Sequence, residues 1–536
     1  MPKKISSTRQ PLIFSPDALE QISRGFNRMA DLFALTLGPT QGVIVNARNG
    51  RSEPEFLTDS GTIAKRVVEL SEQGENTGAM ILRSMIQELY QNYGDGASTA
   101  SVLAAAIIQK AIQLIAAGAN PMRMRSGLER GLSAALMALA SQAHPLAGQE
   151  LLTHFAIGVT GNDELGRLLG EMFDVLGTDA TVTVEEYYAP YLEREYLEGG
   201  RWTAHPPARG FLPDGKPEAS LDNPIILVAD QEIESIDHVR TILELASQQT
   251  PKRPLLVVAK DVKGEALNAL LLNFNRGILT IGAAVPADNI FPKSEELADI
   301  ALLTGAGLMD NYTGRSLSSV KLTDLGQARR VVFNREQLTI IGGGGNPAAV
   351  RQRVGELRTQ MKGLERSQND WEKLRLRTAR LAGGVGVLKV GAYTEREREY
   401  KKDLARKAVR MLDLAMTGGV VPGGGTAFLD CISAVQAVRS ECADEDEARG
   451  VDVLAKALSA PFLHIAQNYG RVEPQVALFD VLQLGPGHGL DVHTGQYALM
   501  VESGILDCAN VVRGALAAAV SAANMVITTN IIVQKR

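Results

Sequence analysis

Three continuous apolar runs in the middle of the chain place the tightest constraint on its fold. They are PIILVAD from Pro224, PLLVVAK from Pro254 and ILTIGAAV from Ile278, and the segments 236–249 and 264–276 between them have helical periodicity. Strands without alternating polar residues are buried on both faces, which is typical of parallel strands covered by helices. The middle of the chain therefore predicts an α/β domain.

The regions on either side of this block are mostly helical in pattern, and the length of 536 residues suggests about three domains. Because helical ends flank one inserted block, we expect the two termini to form one domain together. The expected elements are helices at 17–37, 78–93, 99–117, 121–142, 163–176, 348–381 and 394–416, short strands at 43–48 and 54–58, and a mostly helical stretch at 426–536.

Charge, cysteine content and apolar segments narrow the class of protein. A net charge of −6 without a basic cluster gives no support to a nucleic-acid surface. The three cysteines, Cys431, Cys442 and Cys508, lack the spacing of a disulfide framework, which favours a reducing compartment. The N-terminus lacks the apolar core of a signal peptide, and the apolar segment 514–527 is short for a membrane span. We expect a cytoplasmic protein with neither a nucleic-acid nor a membrane partner.

The octapeptide GDGASTAS, from Gly94 to Ser101, predicts an anion-binding turn before a helix. Glycine lets backbone N–H groups approach an anion closely, and a helix that starts there directs its unpaired N–H groups to the same place. Asp95 is suited to a divalent cation, and Ser98 and Thr99 are suited to phosphate oxygens. The alternative is an ordinary turn followed by a hydroxyl-capped helix. The chain has no GxxxxGK[ST] loop, HExxH or GxSxG motif that would favour another chemistry.

Several motifs occur together in one order along the chain. These motifs are TLGP from Thr36, GDG from Gly94, GANPM from Gly118, DLGQA from Asp324, LAGGV from Leu381, GGG from Gly423 and GILD from Gly504. With this set of motifs, the chain resembles a group I chaperonin, of the bacterial GroEL family. The resemblance covers nearly the whole chain.

The resemblance implies a multidomain α+β chaperonin fold with three domains. They are a helical equatorial domain formed by 1–142 and 418–536, a small intermediate hinge domain formed by 143–197 and 386–417, and an inserted α/β apical domain at 198–385. The equatorial domain of the family binds ATP with Mg²⁺ and forms rings, and the apical domain binds non-native polypeptides. We therefore expect a ring homo-oligomer, which the protein forms alone or mixed with another chaperonin.

The resemblance also implies the residues of the nucleotide site. Asp95 is the implied metal ligand, and Asp507 is chosen by the resemblance alone. The implied nucleotide-binding residues are Thr36, Leu37, Gly38, Pro39, Asp95, Gly96, Ala97, Ser98, Thr99, Gly424, Asp491, Val492, His493 and Asp507.

Two positions that are acidic in the family are not acidic here. The family places a carboxylate on a helix of the hinge domain, where it positions or activates the attacking water, and a gapless count places Lys407 there. A lysine does not accept a proton at neutral pH unless its pKa is strongly lowered. The alternative is that Lys407 pairs with Asp403, one helical turn earlier. The second position is Ser60, with Asp59 displaced by one residue, so no catalytic position is intact and we expect weak or absent ATP hydrolysis.

The family's client-binding groove is also altered. Arg240 replaces a leucine, and Pro206 and Gly210 replace two tyrosines. A capping co-chaperonin inserts an apolar loop there, so we expect weak or absent capping, because Arg240 would have to be desolvated. For Leu267, Leu271 and Leu272, which the resemblance also places in the groove, the alternative is packing in the domain core. The implied client-binding residues are Phe211, Leu243, Leu267, Leu271 and Leu272.

Three hypotheses follow for the function. The first is a ring protein that binds ATP and non-native polypeptides with little or no hydrolysis. The second is an active ATP-driven folding chaperonin. The third is a structural paralogue that works without nucleotide.

Overall fold

The chain forms two compact units. The first, here called the outer unit, combines residues 1–174 with 403–536, and the second, the inserted unit, is 175–402. The two ends of the chain therefore belong to one unit, while the division into three domains stays a prediction. The computed structural model describes residues 12–39, 42, 44–46, 55–57, 63–64, 66, 70–177, 181–212, 218–287, 291–310, 314–362, 364, 369–382 and 384–533.

The N-terminal part is mainly helical. Its elements are β1 (Leu12–Phe14), α1 (Asp17–Ala34), β2 (Ile44–Asn46), β3 (Glu55–Leu57), α2 (Gln73–Tyr93), α3 (Ala97–Ala116), α4 (Pro121–Gln142), α5 (Gln149–Thr160) and α6 (Asp163–Leu176).

The middle part alternates strands and helices. Its elements are β4 (Thr181–Glu186), β5 (Leu192–Leu197), β6 (Gly199–His205), β7 (Ala219–Asp222), β8 (Ile225–Ile233), α7 (Ile236–Ser247), β9 (Leu255–Val262), α8 (Gly264–Asn275), β10 (Ile281–Pro286), α9 (Lys293–Thr304), β11 (Gly326–Phe333), β12 (Gln337–Gly343), α10 (Pro347–Lys362), α11 (Asn369–Ala382), β13 (Val385–Val390) and α12 (Glu395–Gly418).

The C-terminal part returns to helices with short strand pairs. Its elements are β14 (Val420–Pro422), α13 (Thr426–Leu429), α14 (Ile432–Ala437), α15 (Glu445–Ala457), α16 (Ala460–Tyr469), α17 (Pro474–Leu484), β15 (His488–Asp491), β16 (Gln496–Leu499), β17 (Leu506–Cys508), α18 (Ala509–Ile527) and β18 (Ile531–Val533).

The sheet of the inserted unit contains the three predicted parallel strands. Its order is β12-β6-β10-β9-β8-β11-β7, with β11 also paired to β12. Leu255 of β9 lies between Ile225 of β8 and Ile281 of β10, and both pairings are parallel. All three residues are fully buried, as their uninterrupted apolar runs predict. A smaller sheet, β4-β13-β5, belongs to the same unit.

One predicted helix is wrong as a single element. The charged segment expected to be one helix over 348–381 forms α10 and α11, which end and begin at Lys362 and Asn369. Leu364 is not part of either helix, and its N–H donates to the carbonyl oxygen of Met361 at 3.1 Å, three residues earlier. Charge alternation continues through both helices and therefore hides the break.

The outer unit has a helical core in which α3 and α18 are central. The apolar segment 514–527, which is short for a membrane span, is part of the 19-residue helix α18. In the described part of the chain, α3 and α18 are long and apolar enough to cross a membrane, but 44% and 61% of these spans are buried inside the protein. Both contribute to one apolar cluster with α1 and α2, including Leu103 and Leu516.

Glycines allow two helices of this core to cross closely. A Cβ added to Gly127 of α4 would lie 1.9 Å from the carbonyl oxygen of Glu447 and 3.0 Å from the Cα of Gly450, both on α15. Real Cβ atoms do not approach a backbone oxygen so closely. The two helices would therefore have to move apart to admit any side chain at Gly127.

We predict that Gly127→Ala lowers the free energy of unfolding by about 1–3 kcal/mol, because it overpacks this crossing. The matched control is Gly158→Ala in α5, where no described atom lies within 4 Å of the added methyl group. Alanine is favoured over glycine within a helix by about 1 kcal/mol, so the control should be neutral or stabilised. Denaturant unfolding compares the two variants, and equal stability would contradict the close crossing.

Candidate nucleotide-binding site

The GDG turn joins the end of α2 to the start of α3. Gly94 (φ +77°) ends α2 in the left-handed region, and Gly96 (φ +87°) is the N-cap of α3. A Cβ at Gly96 would lie only 2.8 Å from Cγ1 of Val511, so the position requires glycine for space as well as for backbone conformation. The N-terminus of α3 begins at a residue with no side chain to cap it. This arrangement fits an anion, as the sequence predicts.

The Thr36–Pro39 turn lies beside the start of α3. The hydroxyl of Thr36 donates to the carbonyl oxygen of Phe33 at 2.8 Å and lies 2.8 Å from the hydroxyl of Ser98. Asn468 fixes the turn from the other side, because its amide donates to the carbonyl oxygens of Ala34 and Leu37 at 2.8 Å each. The structure therefore brings Thr36 and Ser98, predicted from distant parts of the chain, into direct contact.

The second glycine loop follows β14. Gly424 (φ +68°) and Gly425 (φ +81°) are in the left-handed region, and a Cβ on Gly425 would lie 2.8 Å from the backbone nitrogen of Phe462. Strand β14 pairs antiparallel with β17, which places Val421 opposite Asp507. The pairing therefore sets Asp507 beside the loop that contains Gly424.

Asp507 is the residue that the sequence alone did not single out. Protein surrounds its carboxyl group although solvent still reaches it, and this enclosure, together with the charge of Asp95, raises the pKa of Asp507 to about 7. The electrostatic effect of Asp95 indicates that the two carboxyl groups are near enough to repel each other. A sequence signal exists in retrospect: Asp507 is the one charged residue between Gly504 and Val512, in a mostly apolar segment.

The predicted trio of Asp491, Val492 and His493 forms a tight turn after β15. Burial alone would raise the pKa of Asp491, but hydrogen bonds from the Thr494 hydroxyl and from the backbone of His493 and Thr494 lower it. Val492 belongs to the same apolar cluster as Leu37. Val492 and Leu37 are thus placed together, while the carboxylate of Asp491 is engaged within its own turn.

Lys407 makes the contact that the sequence missed. Its Nζ lies 2.9 Å from Oδ2 of Asp95, with 34% and 42% of the two side chains exposed. The expected alternative partner, Asp403, lies 4.0 Å from Arg406, on the same helix. The lysine at the position that the resemblance implies as catalytic therefore contacts the residue implied as the metal ligand. Lys407 and Asp95 lie far apart in the sequence, so no local sequence pattern indicates that they are in contact.

The carboxylate of Asp95 does not fit Mg²⁺ as it stands. Its Oδ1 accepts a hydrogen bond from the backbone N–H of Gly96 at 2.9 Å, and its Oδ2 faces the ammonium of Lys407. Among the described residues, no group of three or more His, Cys, Asp or Glu side chains could hold a metal ion. A metal at Asp95 would have to displace Lys407. Ser60 and Asp59, the second altered acidic site, lie outside the described residues.

The implied client-binding residues differ in their exposure within the inserted unit. Phe211 is 1% exposed and packs against Phe274, with ring centroids 6.0 Å apart, so it supports the core and presents no surface in this conformation. Leu243, Leu267 and Leu271 are half-buried against the same core. Leu272 is 49% exposed. Packing in the core therefore describes most of these residues, whereas Leu272 has an exposed side chain.

The family model for the TCP-1/cpn60 chaperonin family matches residues 29–536. The chain belongs to this family. The prediction of a chaperonin made from the ordered motifs is confirmed, and the protein is a chaperonin-type protein.

Solved structures agree with this assignment at the level of the fold. The chaperonin gp146 from the bacteriophage EL 2 (Pseudomonas aeruginosa), crystallised in the presence of ATP-BeFx, matches in crystal form II with a TM-score of 0.74 and 17% identity, over 98% of this chain and 99% of that chain. Crystal form I matches with a TM-score of 0.66 and the same identity and coverage. The predicted multidomain α+β chaperonin fold is therefore confirmed.

Proposed function

We propose that this chaperonin forms a ring that binds ATP in the outer unit and non-native polypeptides on the inserted unit, and that it hydrolyses ATP slowly or not at all. The observation that carries the proposal is the 2.9 Å contact between the ammonium of Lys407 and Asp95. This contact places a fixed positive charge where the family has a carboxylate that acts on water.

ATP binding is supported by the turns around the N-terminus of α3. Gly96 would let the backbone approach a phosphate closely, and the positive end of the helix dipole favours phosphate. The contact between Thr36 and Ser98 holds the Thr36–Pro39 turn against the start of α3. The helix end acts through its backbone, and Thr36 and Ser98 are not among the altered side chains, so these features are kept. The chaperonin gp146, which has the same fold, was crystallised in the presence of ATP-BeFx.

Weak hydrolysis follows from the charge of Lys407. An ion pair with a carboxylate favours the ammonium form of a lysine, and an ammonium has no lone pair with which to accept a proton from water. A positioned general base typically contributes about 10²–10⁴-fold to a reaction rate. Without that contribution, we expect turnover far below that of a chaperonin with the carboxylate.

Three measurements on the purified full chain test the proposal. Isothermal titration calorimetry with ATP should show binding, steady-state phosphate release should be slow or undetectable, and native mass should correspond to a ring. No binding at millimolar ATP would leave the nucleotide-independent paralogue. Turnover equal to that of a Lys407→Asp variant would instead favour the active folding chaperonin.

The distribution of cysteines supports a reducing location, and we propose the cytoplasm. Cys431, Cys442 and Cys508 are all free thiols in the structure, and burial raises the pKa of Cys431 to about 12. Native mass also decides whether the ring is formed by this chain alone.

We further propose weak or absent capping by a co-chaperonin, because Arg240 is exposed and paired with Asp237 at 2.8 Å, so an apolar capping loop would meet a charge.

We predict that Leu272→Ser weakens the capture of a chemically unfolded test protein, because Leu272 is the most exposed of the implied client-binding residues. Full burial of a leucine side chain contributes about 1.5–3 kcal/mol, so partial loss corresponds to a several-fold change in affinity. The matched control is Leu322→Ser, since Leu322 is 46% exposed in the same unit but lies outside α7 and α8. Light scattering of aggregating client protein compares them, and equal loss in both variants would contradict a specific groove.

A further inference from the structure

Asp95 has both carboxylate oxygens engaged by this chain. Oδ2 accepts from the ammonium of Lys407 at 2.9 Å, and Oδ1 accepts from the backbone N–H of Gly96 at 2.9 Å. Magnesium in nucleotide sites is usually held by one or two carboxylates together with the phosphates. The ammonium of Lys407 and a divalent cation therefore compete for the same oxygen atom of Asp95.

A second contact of α12 fixes Lys407 in this position. Arg410, one helical turn after Lys407, donates to the carbonyl oxygens of Tyr90, at 3.3 Å, and of Gln91, at the end of α2. A cation at a helix C-terminus satisfies carbonyl groups that lack helical partners and interacts favourably with the helix dipole. Arg410 also packs on the GDG turn, since a Cβ on Gly94 would lie 3.0 Å from its Cδ. The two basic residues together set the position of α12 over this turn.

The balance of charge at the turn also disfavours a metal ion. The positive charge of Lys407 neutralises Asp95 and would repel a divalent cation at the same carboxylate. Because Mg²⁺ dehydrates reluctantly, a carboxylate that is already paired with an ammonium is a poor ligand for it. The ammonium has three donors, so it can face the oxygens of a phosphate as well as Asp95.

We propose that Lys407 takes the place of the metal ion at Asp95, so that this site binds ATP without requiring Mg²⁺. The inference rests on the proposed ATP binding and specifies how the phosphates are neutralised. The counter-charge is part of the chain, held by α12, and the site accepts nucleotide free of divalent cation.

Calorimetry with ATP in excess EDTA and in excess MgCl₂ tests the inference on the full chain. The wild-type affinities in the two buffers should differ by less than about tenfold, the equivalent of one charge-assisted hydrogen bond. Lys407→Met should lose about tenfold or more in EDTA and recover in MgCl₂, because Asp95 is then available to the metal. The matched control is Lys401→Met, since Lys401 lies on the same helix and pairs with Glu397 at 2.8 Å. The control should behave as wild type in both buffers.

Asp95→Asn gives a second test that does not depend on the folding of the Lys407 variant. It removes the metal ligand but leaves the ammonium of Lys407, so ATP binding in EDTA should be at least as strong as in wild type. Wild-type binding that is about tenfold or more weaker in EDTA than in MgCl₂ would overturn the inference and leave the proposed function intact. ATP binding by Asp95→Asn in EDTA that is about tenfold or more weaker than wild-type binding in EDTA would also overturn the inference. If wild type binds no ATP in either buffer, the proposed function fails and the inference falls with it.

Discussion

Lys407→Asp is expected to raise steady-state ATP turnover by about 10²–10⁴-fold, the usual contribution of a positioned general base. The substitution removes the ammonium that lies 2.9 Å from Asp95 and puts a carboxylate at the position where the resemblance implies one. Arg410 still joins α12 to the end of α2, so the helix keeps its place over the turn. Because Asp95 then faces another carboxylate, turnover of the variant should require Mg²⁺.

The matched control for this prediction is Lys401→Asp, which makes the same change of charge on the same helix away from the turn. Phosphate release is measured for wild type, control and variant at identical ATP and magnesium concentrations. Only Lys407→Asp should gain activity. Adding Ser60→Asp should raise turnover further, although effects within one site do not combine independently.

Asp403 could be suggested as a substitute for the missing base in the wild-type protein. It lies one turn earlier on α12, which displaces its carboxylate by about 5 Å along the helix axis. A displacement of this size is too large for the same water molecule. Wild-type turnover as fast as that of Lys407→Asp would show that a base is supplied elsewhere, and the active folding chaperonin would then be the correct description.

The fold was predictable where one residue pattern has one structural meaning. The runs from Pro224 and Pro254 predicted buried strands, because short uninterrupted runs of branched apolar residues are typical of parallel strands that helices cover on both faces. The break between α10 and α11 was missed because the charged pattern is the same on both sides of it. Local patterns therefore predicted the type of element better than its ends.

The site was predictable where the backbone makes it and unpredictable where distant side chains meet. Gly94 and Gly96 indicate a left-handed turn by themselves, and both have positive φ. The pairing of Lys407 with Asp95 depends on how α12 packs on the end of α2, which is a tertiary property without a local signal. Phe211 was implied as a surface residue by resemblance, but its packing on Phe274 places it in the core. Resemblance identifies a position in the chain, whereas its exposure depends on the residues around it.

Gly96→Ala is expected to lower ATP affinity by about tenfold or more, because backbone strain of about 1–3 kcal/mol and a steric clash together displace the turn. Gly96 has φ +87°, where alanine is strained, and an added Cβ would lie 2.8 Å from Cγ1 of Val511 in α18. Relieving both effects requires the turn to move away from α18, and the N-terminus of α3 moves with it. The backbone N–H groups that bind phosphate in the proposal would then be displaced.

Gly118→Ala, just after the other end of α3, is the matched control. Gly118 has φ +98°, so alanine is strained there as well, but no described atom lies within 4 Å of the added methyl group. Both variants should therefore lose some stability in thermal unfolding, whereas calorimetry with ATP should show weaker binding for Gly96→Ala alone. If both variants bound ATP as tightly as wild type, the N-terminus of α3 would not be the phosphate site, since a displaced helix end cannot keep the same contacts.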